Sequence, residues 1–307
     1  MQRGWWTPPL GASQAYDLES EQLQGLGLNP LVSLTDHDNI DASKSFRANH
    51  AGKNVPTSVE WTVPFRNTFL HLGVHNLPPL RASSLMTVMR EFTVKPNEVV
   101  LKGILAGLHA IPGSLLVLNH PMWDEHSVGQ DVHQAAVLSL LAICGEHLHA
   151  IELNGLRPWN ENKQAMVLAQ TWSKPVISGG DRHVVEPNAT LNLTNATDFS
   201  EFAAEIRQGH SQVLITSHYR KPHNHRLIQN GLDAFRPYKA HELGWQTWTD
   251  RVFYQFNDGV VRSLLEIWGV RPPSTFAAIA AMIRFADGRP LRQFLGVTGP
   301  WAEQVVL

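Results

Sequence analysis

Seven side chains able to bind a metal ion stand at or near the ends of five short apolar runs in this chain. The runs are L-V-S-L-T-D-H at 31–37, S-V-E at 58–60, F-L-H at 69–71, L-L-V-L-N-H at 115–120 and V-I-S-G-G-D-R-H at 176–183. They carry Asp36, His37, Glu60, His71, His120, Asp181 and His183. A run of Val, Leu and Ile bounded by turn residues is the pattern of a buried strand. When several such strands present His, Asp or Glu at one end, those side chains can converge on one rim of a barrel, where barrel enzymes keep their chemistry. Mixed imidazole and carboxylate donors suit Zn, Mn or Fe rather than Mg alone.

Each residue also has a plainer reading. Thr35-Asp36-His37-Asp38 is the densest cluster, and three ionisable groups directly after an apolar strand are costly to bury unless paired or metal-bound. Asp38 suits the N-cap of the helix that follows, so it is expected to cap while Asp36 and His37 face metal. Glu60 can pair with Arg66, but a bridging metal ligand is the more economical reading once His71 lies on the next strand. His71 and His75 share a strand face because side chains repeat every second residue; His71, nearer the strand centre, is the expected ligand. His120 precedes Pro121, which ends the strand and sets the imidazole at its exit. Asp181 and His183 follow Gly179 and Gly180, where the backbone can approach a ligand closely. Glu152 and Asn154 end another strand and are expected to shape the pocket. His109, His147, His149, His210, His218, His223, His225 and His241 lack this context and are expected at the surface or at caps. The basic stretch holding His218, Arg220, Lys221, His223, His225 and Arg226 reads as a solvated loop, with an anion site as its sharper alternative.

The elements that must position these groups alternate between strand and helix. Strands are expected at 31–36, 58–63, 69–76, 114–119, 150–155, 175–179 and 211–216, with Phe65-Arg66-Asn67 turning the first hairpin. Helices are expected near 19–27, 41–51, 82–93, 97–110, 131–147, 160–172 and 198–209. That alternation predicts a mostly parallel α/β architecture. Residues 1–20 show no clear period. Beyond residue 216 the chain reads as loop and then as helices near 248–268 and 274–286, so the expected division is a barrel over 1–216 and a helical C-terminal extension over 217–307.

Composition narrows the classes. At 307 residues the chain can bury a large core. A net charge of -2 gives no electrostatic case for nucleic acid or an anionic membrane. The single cysteine, Cys144, excludes an internal disulfide and a Cys-rich zinc site; in its helical run it reads as a small core hydrophobe. No apolar run has the length of a membrane span and M-Q-R-G-W-W-T-P-P-L has no signal-peptide pattern, so a cytoplasmic enzyme is expected.

Taken in order, the motifs resemble the PHP family, named after polymerase and histidinol phosphatase. Thr35-Asp36-His37, Glu60, His71-Leu72-Gly73, Asn119-His120-Pro121 and Asp181-Arg182-His183 match its pattern over roughly 25–216, with Glu152-Leu153-Asn154 where members carry a similar strand. The resemblance implies a distorted (β/α)7 barrel and one to three divalent ions. It implies hydrolysis of phosphoesters, with Asp36, His37 and Asp181 catalytic. His37, Glu60, His71, His120, Asp181 and His183 would be the ligands, and Arg182, Asn154 and Glu152 would bind substrate. By family pattern Glu60, His71 and His120 complete one metal position. The His-x-His motif that opens the family's domain has no match in R-G-W-W-T-P-P-L-G-A-S-Q-A-Y-D-L-E-S-E-Q-L-Q-G. Either the first strand is missing from this sequence or the protein binds fewer metals.

The expected function is metal-dependent hydrolysis of a small phosphorylated substrate by metal-activated water. The rival is a degenerate, non-catalytic PHP-like protein that binds a ligand or partner, with the C-terminal helices offering a surface for oligomerisation. An amide hydrolase on a similar barrel is weaker, because its ligating lysine has no match.

Overall fold

The computed structural model describes residues 4–50, 53, 55–239, 241, 243–269, 273–278 and 281, and most of its elements follow the apolar pattern of the sequence. The chain begins with β1 (Gly4–Trp6), α1 (Ala12–Gly25), β2 (Thr35–His37), α2 (Asp41–Asn49), β3 (Thr57–Phe65) and β4 (Thr68–Leu77). It continues through α3 (Pro79–Val94), α4 (Glu98–His109), β5 (Leu115–Asn119), α5 (Gln130–Cys144), β6 (Ala150–Asn154), α6 (Trp159–Thr171) and β7 (Val176–Gly179). The last elements are β8 (Thr190–Asn192), α7 (Phe199–Arg207), β9 (Val213–Ile215), α8 (His223–Phe235), β10 (Val252–Gln255), β11 (Val261–Ser263) and α9 (Leu264–Trp268). These group into two compact units.

The larger unit comprises Glu19–Asp181 and Asn188–Thr216. Its main sheet runs β2-β3-β4-β5-β6-β7 and curls as half a barrel. Strand β4 is antiparallel to both β3 and β5, whereas β2–β3, β5–β6 and β6–β7 are parallel pairs. The exception has a local cause: β3 turns into β4 through Arg66 and Asn67, with Arg66 at φ 54°, and a tight hairpin can only return antiparallel. Strands β8 and β9 form a separate antiparallel pair. β8 was not anticipated, because three residues of T-L-N among turn formers carry no readable period.

Alternation of side chains gives the curled sheet two unlike faces. Val59, Trp61 and Val63 of β3, Leu70, Leu72 and Val74 of β4, Leu116 and Leu118 of β5, and Ile151 and Leu153 of β6 join one buried cluster. Helices cover that face with residues at helical spacing: Ala82, Met86, Met89 and Phe92 of α3, and Leu101, Leu105 and Leu108 of α4. Trp61 is anchored there by donating from Nε1 to Thr93 Oγ1 at 3.0 Å. The opposite face holds Glu60, His71, Gly73, His75, Asn119, Glu152 and Asn154. Toward the other end of that face, Leu115, Val117, Ala150 and Ile177 pack on Phe199, Phe202, Ala203 and Ile206, so α7 fills it with hydrocarbon. What remains polar is the rim at which β2, β5, β6 and β7 end.

The smaller unit comprises Met1–Leu18, Arg182–Pro187 and Ser217–Leu307, and departs most from expectation. Residues 248–268, expected as helix, form a turn, the strands β10 and β11, and only the short α9. With β1 from the supposedly irregular start they make an antiparallel sheet ordered β1-β10-β11. Its strands are short and rich in aromatics, with Trp5 stacked on Phe253 at 5.7 Å, and so imitate a helical apolar pattern. The stretch expected as solvated loop contains α8, whose buried face is partly polar: Arg226, Gln229, Leu232 and Asp233. Residues 274–278 are helical as expected, and 282–286 lie outside the described residues.

One expected surface histidine is structural. His149 is 7% exposed, and its Nδ1 accepts the Leu116 backbone N–H at 2.8 Å while its own N–H donates to Leu116 O at 2.8 Å. The imidazole thus completes the first rung between β5 and β6. Its proton must then sit on Nε2, which donates to His109 Nδ1 at 2.9 Å. Burial first, and then the charges of Arg207, His109 and Lys174, hold His149 down at about 3. A group depressed below its unfolded value of 6.5 stabilises the fold above that pH and loses its contribution as pH falls toward 3. We predict that His149→Gln flattens the acid side of a urea-unfolding stability profile by about 1.4 kcal/mol per pH unit between pH 6 and 4. An unchanged slope contradicts this role.

Candidate metal centre

Glu60, His71 and His120 come together because of register. Glu60 pairs across the sheet with Gly73 and with His37, and His71 pairs with Thr62 and with Asn119, the residue before His120. His120 then leaves β5 at φ 27°, a strained value for a non-glycine residue. Pro121 follows, and the Trp123 N–H returns to His120 O at 3.0 Å, which turns the chain over the rim. One ligand atom from each of Glu60, His71 and His120 lies within 4.8 Å of the others, and all three residues are buried.

The contacts are specific. His120 Nε2 lies 3.1 Å from Glu60 Oε1 and 3.2 Å from His71 Nδ1. Asn119 Nδ2 donates to the same Glu60 oxygen at 2.9 Å. The other oxygen, Oε2, faces His37 Nε2 at 3.8 Å. One carboxylate thus turns its two oxygens toward different imidazoles, the disposition a bridging ligand needs.

Electrostatics follow from burial. Desolvation alone would raise the Glu60 carboxyl, but the His120 hydrogen bond and the charges of His120, His37 and His71 hold it well below the usual carboxylate range. Burial works against charge on His120 too, yet the hydrogen bond and charge of Glu60, with Glu152 and Asp181 adding to them, raise it to about 9. Burial and then the charge of His120 push His71 down to about 3. At neutral pH the metal-free cluster therefore holds one extra proton on His120, pointing at Glu60 and His71. A divalent cation coordinated by the same three atoms would take that proton's place. One carboxylate and two imidazoles, all buried, fit a transition-metal centre with open positions.

A second layer braces this cluster. Glu152 Oε2 accepts the His120 backbone N–H at 2.7 Å and Asn154 Nδ2 at 3.2 Å. Asn154 Nδ2 also donates to Asp181 Oδ2 at 3.1 Å. Burial, reinforced by the charges of Glu60 and Asp181 against that of His120, raises Glu152 to about 7. Two glycines make room. A Cβ on Gly73 would lie 2.8 Å from His75 Nε2 and 2.9 Å from Asn119 Oδ1, and one on Gly179 would fall on the Glu152 carboxylate.

The remaining expected residues take other positions. Asp36 Oδ2 accepts the Ala42 N–H at 2.9 Å, so it serves the first turn of α2. Asp38 is not that helix's cap: Ile40 is, with no side-chain hydrogen bond. Asp38 instead adopts φ 56° and accepts the Thr62 N–H at 2.8 Å, extending the β2–β3 pairing after the strand turns away. Arg66 pairs with Glu98 at 3.2 Å rather than with Glu60. His75 sits lower on the face, with Nδ1 2.9 Å from Ser33 Oγ and its ring stacked on Phe199 at 5.7 Å. Arg182 and His183 belong to the smaller unit. There Arg182 donates to the carbonyls of Val184 at 3.1 Å and Val185 at 2.8 Å, and His183 stacks on Trp6 at 6.2 Å. Sequence reading gave Asn119 only as part of the Asn119-His120-Pro121 motif, with no role, and missed two groups around the cluster: Trp123, whose ring meets His120 at 5.1 Å, and Glu125, whose Oε2 is 3.8 Å from His71 Nε2. Asn119 was legible as the inward neighbour of Leu118; the other two lie in a loop without periodicity.

No family model matches the sequence, and no curated protein does. Among solved structures, one similar chain is a Bifidobacterium adolescentis protein assigned as a metal-dependent phosphoesterase. It is 16% identical, with a TM-score of 0.37 over 68% of this chain and 93% of that one. Another is an amidohydrolase from Chromobacterium violaceum with bound sulfate and no metal, 14% identical, with a TM-score of 0.44 over 68% of this chain and 94% of that one.

The brace is testable. Gly179→Ala forces Glu152 to move and is predicted to cost about 1–3 kcal/mol of stability in denaturant unfolding. Because the clash lies with the Glu152 side chain, the same substitution in a Glu152→Ala background should cost at least about 1 kcal/mol less. Additive costs would show that the two residues do not meet.

Proposed function

We propose that the chain is a metal-dependent hydrolase of small phosphate esters. The observation that carries the reading is the buried convergence of Glu60, His71 and His120 at a rim where parallel strands end. The ordered motifs of the sequence, Thr35-Asp36-His37, His120-Pro121 and Asp181-Arg182-His183, support phosphoesters as the substrate class.

When bound, a divalent cation such as Zn, Mn or Fe would supply Lewis acidity, acidifying water and neutralising charge on phosphoryl oxygens. The chain's own residues do the rest. Glu60, His71 and His120 would hold the ion, and Glu60 Oε2 faces His37 Nε2 at 3.8 Å. Glu152 fixes the backbone that presents His120. Asp181, oriented by Asn154, is assigned as the acceptor of the proton from the attacking water. His37, whose side chain is 50% exposed, is assigned to the substrate side. Asp36 holds the start of α2 and thereby the position of His37.

Protein purified without chelator should contain Zn, Mn or Fe by elemental analysis and should hydrolyse p-nitrophenyl phosphate or its diester. Glu60→Gln should lower metal affinity and turnover by at least about a hundredfold, more than loss of an outer group costs. Protein that takes up none of these metals and hydrolyses neither ester would refute the reading. A second reading is metal or ligand binding without catalysis, since among the described residues one group of three ligand side chains converges. Stoichiometric metal with no hydrolysis of either ester would select it.

A further inference from the structure

The loop that follows His120 is built to hold its shape. Asp124 accepts the N–H of Val128 at 3.1 Å and of Gly129 at 2.8 Å through its two oxygens. His133 Nε2 lies 3.0 Å from Pro121 O, and the His126 ring packs on Phe69 at 4.6 Å. From this loop Glu125 sets its carboxylate beside the one ring nitrogen of His71 that the cluster leaves unused: its Oε2 is 3.8 Å from His71 Nε2, an ion-pair contact longer than a hydrogen bond, while Nδ1 faces His120 and Glu60.

A neutral imidazole carries one proton, and which nitrogen carries it decides whether His71 can bind a cation with Glu60 and His120. If Nδ1 is protonated, an N–H points into the cluster and no lone pair is available there. If Nε2 is protonated, Nδ1 offers its lone pair to the cluster and the N–H points at Glu125. The neighbours favour the second form. His120 Nε2, directed at Glu60 Oε1, also lies 3.2 Å from His71 Nδ1, which can meet an N–H only as an acceptor. A carboxylate on the far nitrogen is the usual partner of a metal-binding histidine.

We infer that Glu125 is a positioning residue that holds His71 as its Nε2–H tautomer and so keeps Nδ1 free for the cation. The inference rests on the metal-centre reading but is testable apart from it. Glu125 acts through His71 and touches no reacting atom. Its side chain is 41% exposed on a surface loop, so substitution leaves the core intact.

The test uses full-length protein labelled with ¹⁵N-histidine, in wild-type form and as Glu125→Gln and Glu125→Ala. Long-range ¹H–¹⁵N spectra of the metal-free protein report the His71 tautomer, and chelator competition reports zinc affinity. The expected result is Nε2–H in the wild type, a shift toward a tautomer mixture in Glu125→Ala, and zinc affinity lower by about 10–100-fold. Glu125→Gln, which keeps the size and polarity of the side chain but not its charge, should shift both in the same direction and by less. A His71 found as Nδ1–H in the wild type, or a tautomer and affinity unchanged in Glu125→Ala, overturns the inference. Wild-type protein that binds no zinc, with a tautomer that still shifts in Glu125→Ala, would sink the metal reading and uphold the role of Glu125.

Discussion

A carboxyl group held out of water must be paired with positive charge or take up a proton, and Glu60, only 8% exposed in the middle of a strand, is paired. Its compensation decides what the neighbouring elements can be. Without metal, the proton drawn onto His120 supplies the charge. Removing one partner of a buried pair leaves the other uncompensated, at a cost of several kcal/mol. The β3–β4 hairpin and the end of β5 are therefore tied together at one atom, Glu60 Oε1, which receives Asn119 and His120 from β5 and its exit and lies 3.7 Å from His71 of β4.

The fold makes this tolerable by separating its two kinds of surface. One sheet face carries branched and aromatic side chains under α3, α4, α5 and α6; the other is filled by α7 at one end and left polar at the rim. The separation depends on strict alternation. A slip of one residue in β4 would exchange His71 and Gly73 for Leu72 and Val74, destroying the cluster and the core together. Backbone strain is spent at the same rim: Asp38, His120 and Asp181 all have positive φ just beyond strands β2, β5 and β7. Each bend re-aims a polar side chain where a continuing strand would have carried it past the centre.

Much of this was legible in the residues. Apolar runs ending in His, Asp or Glu located the strands and the cluster, and Pro121 marked the exit of β5. The choice of His71 over His75 was also readable, from position along the strand. Other features were not readable, each for a physical reason. Asp36 and Asp38 share their hydrogen-bonding duties contrary to cap preference, because Asp38 adopts a left-handed conformation that a sequence does not announce. Helix α8 was hidden because it buries Arg226, Gln229 and Asp233, residues that ordinarily mark a solvated face. The sheet of β1, β10 and β11 was hidden because tertiary pairing of strands far apart in the chain overrides a short local pattern.

Glu60, His71 and His120 are proposed to bind one cation through Oε1, Nδ1 and Nε2. Anomalous diffraction at the zinc edge, from crystals of the protein loaded with one equivalent of zinc, tests it directly. One dominant peak bonded to those three atoms is expected, with zinc–nitrogen distances of about 2.0–2.1 Å. A loaded crystal whose zinc lies elsewhere, with no density in bonding reach of the three, would contradict it.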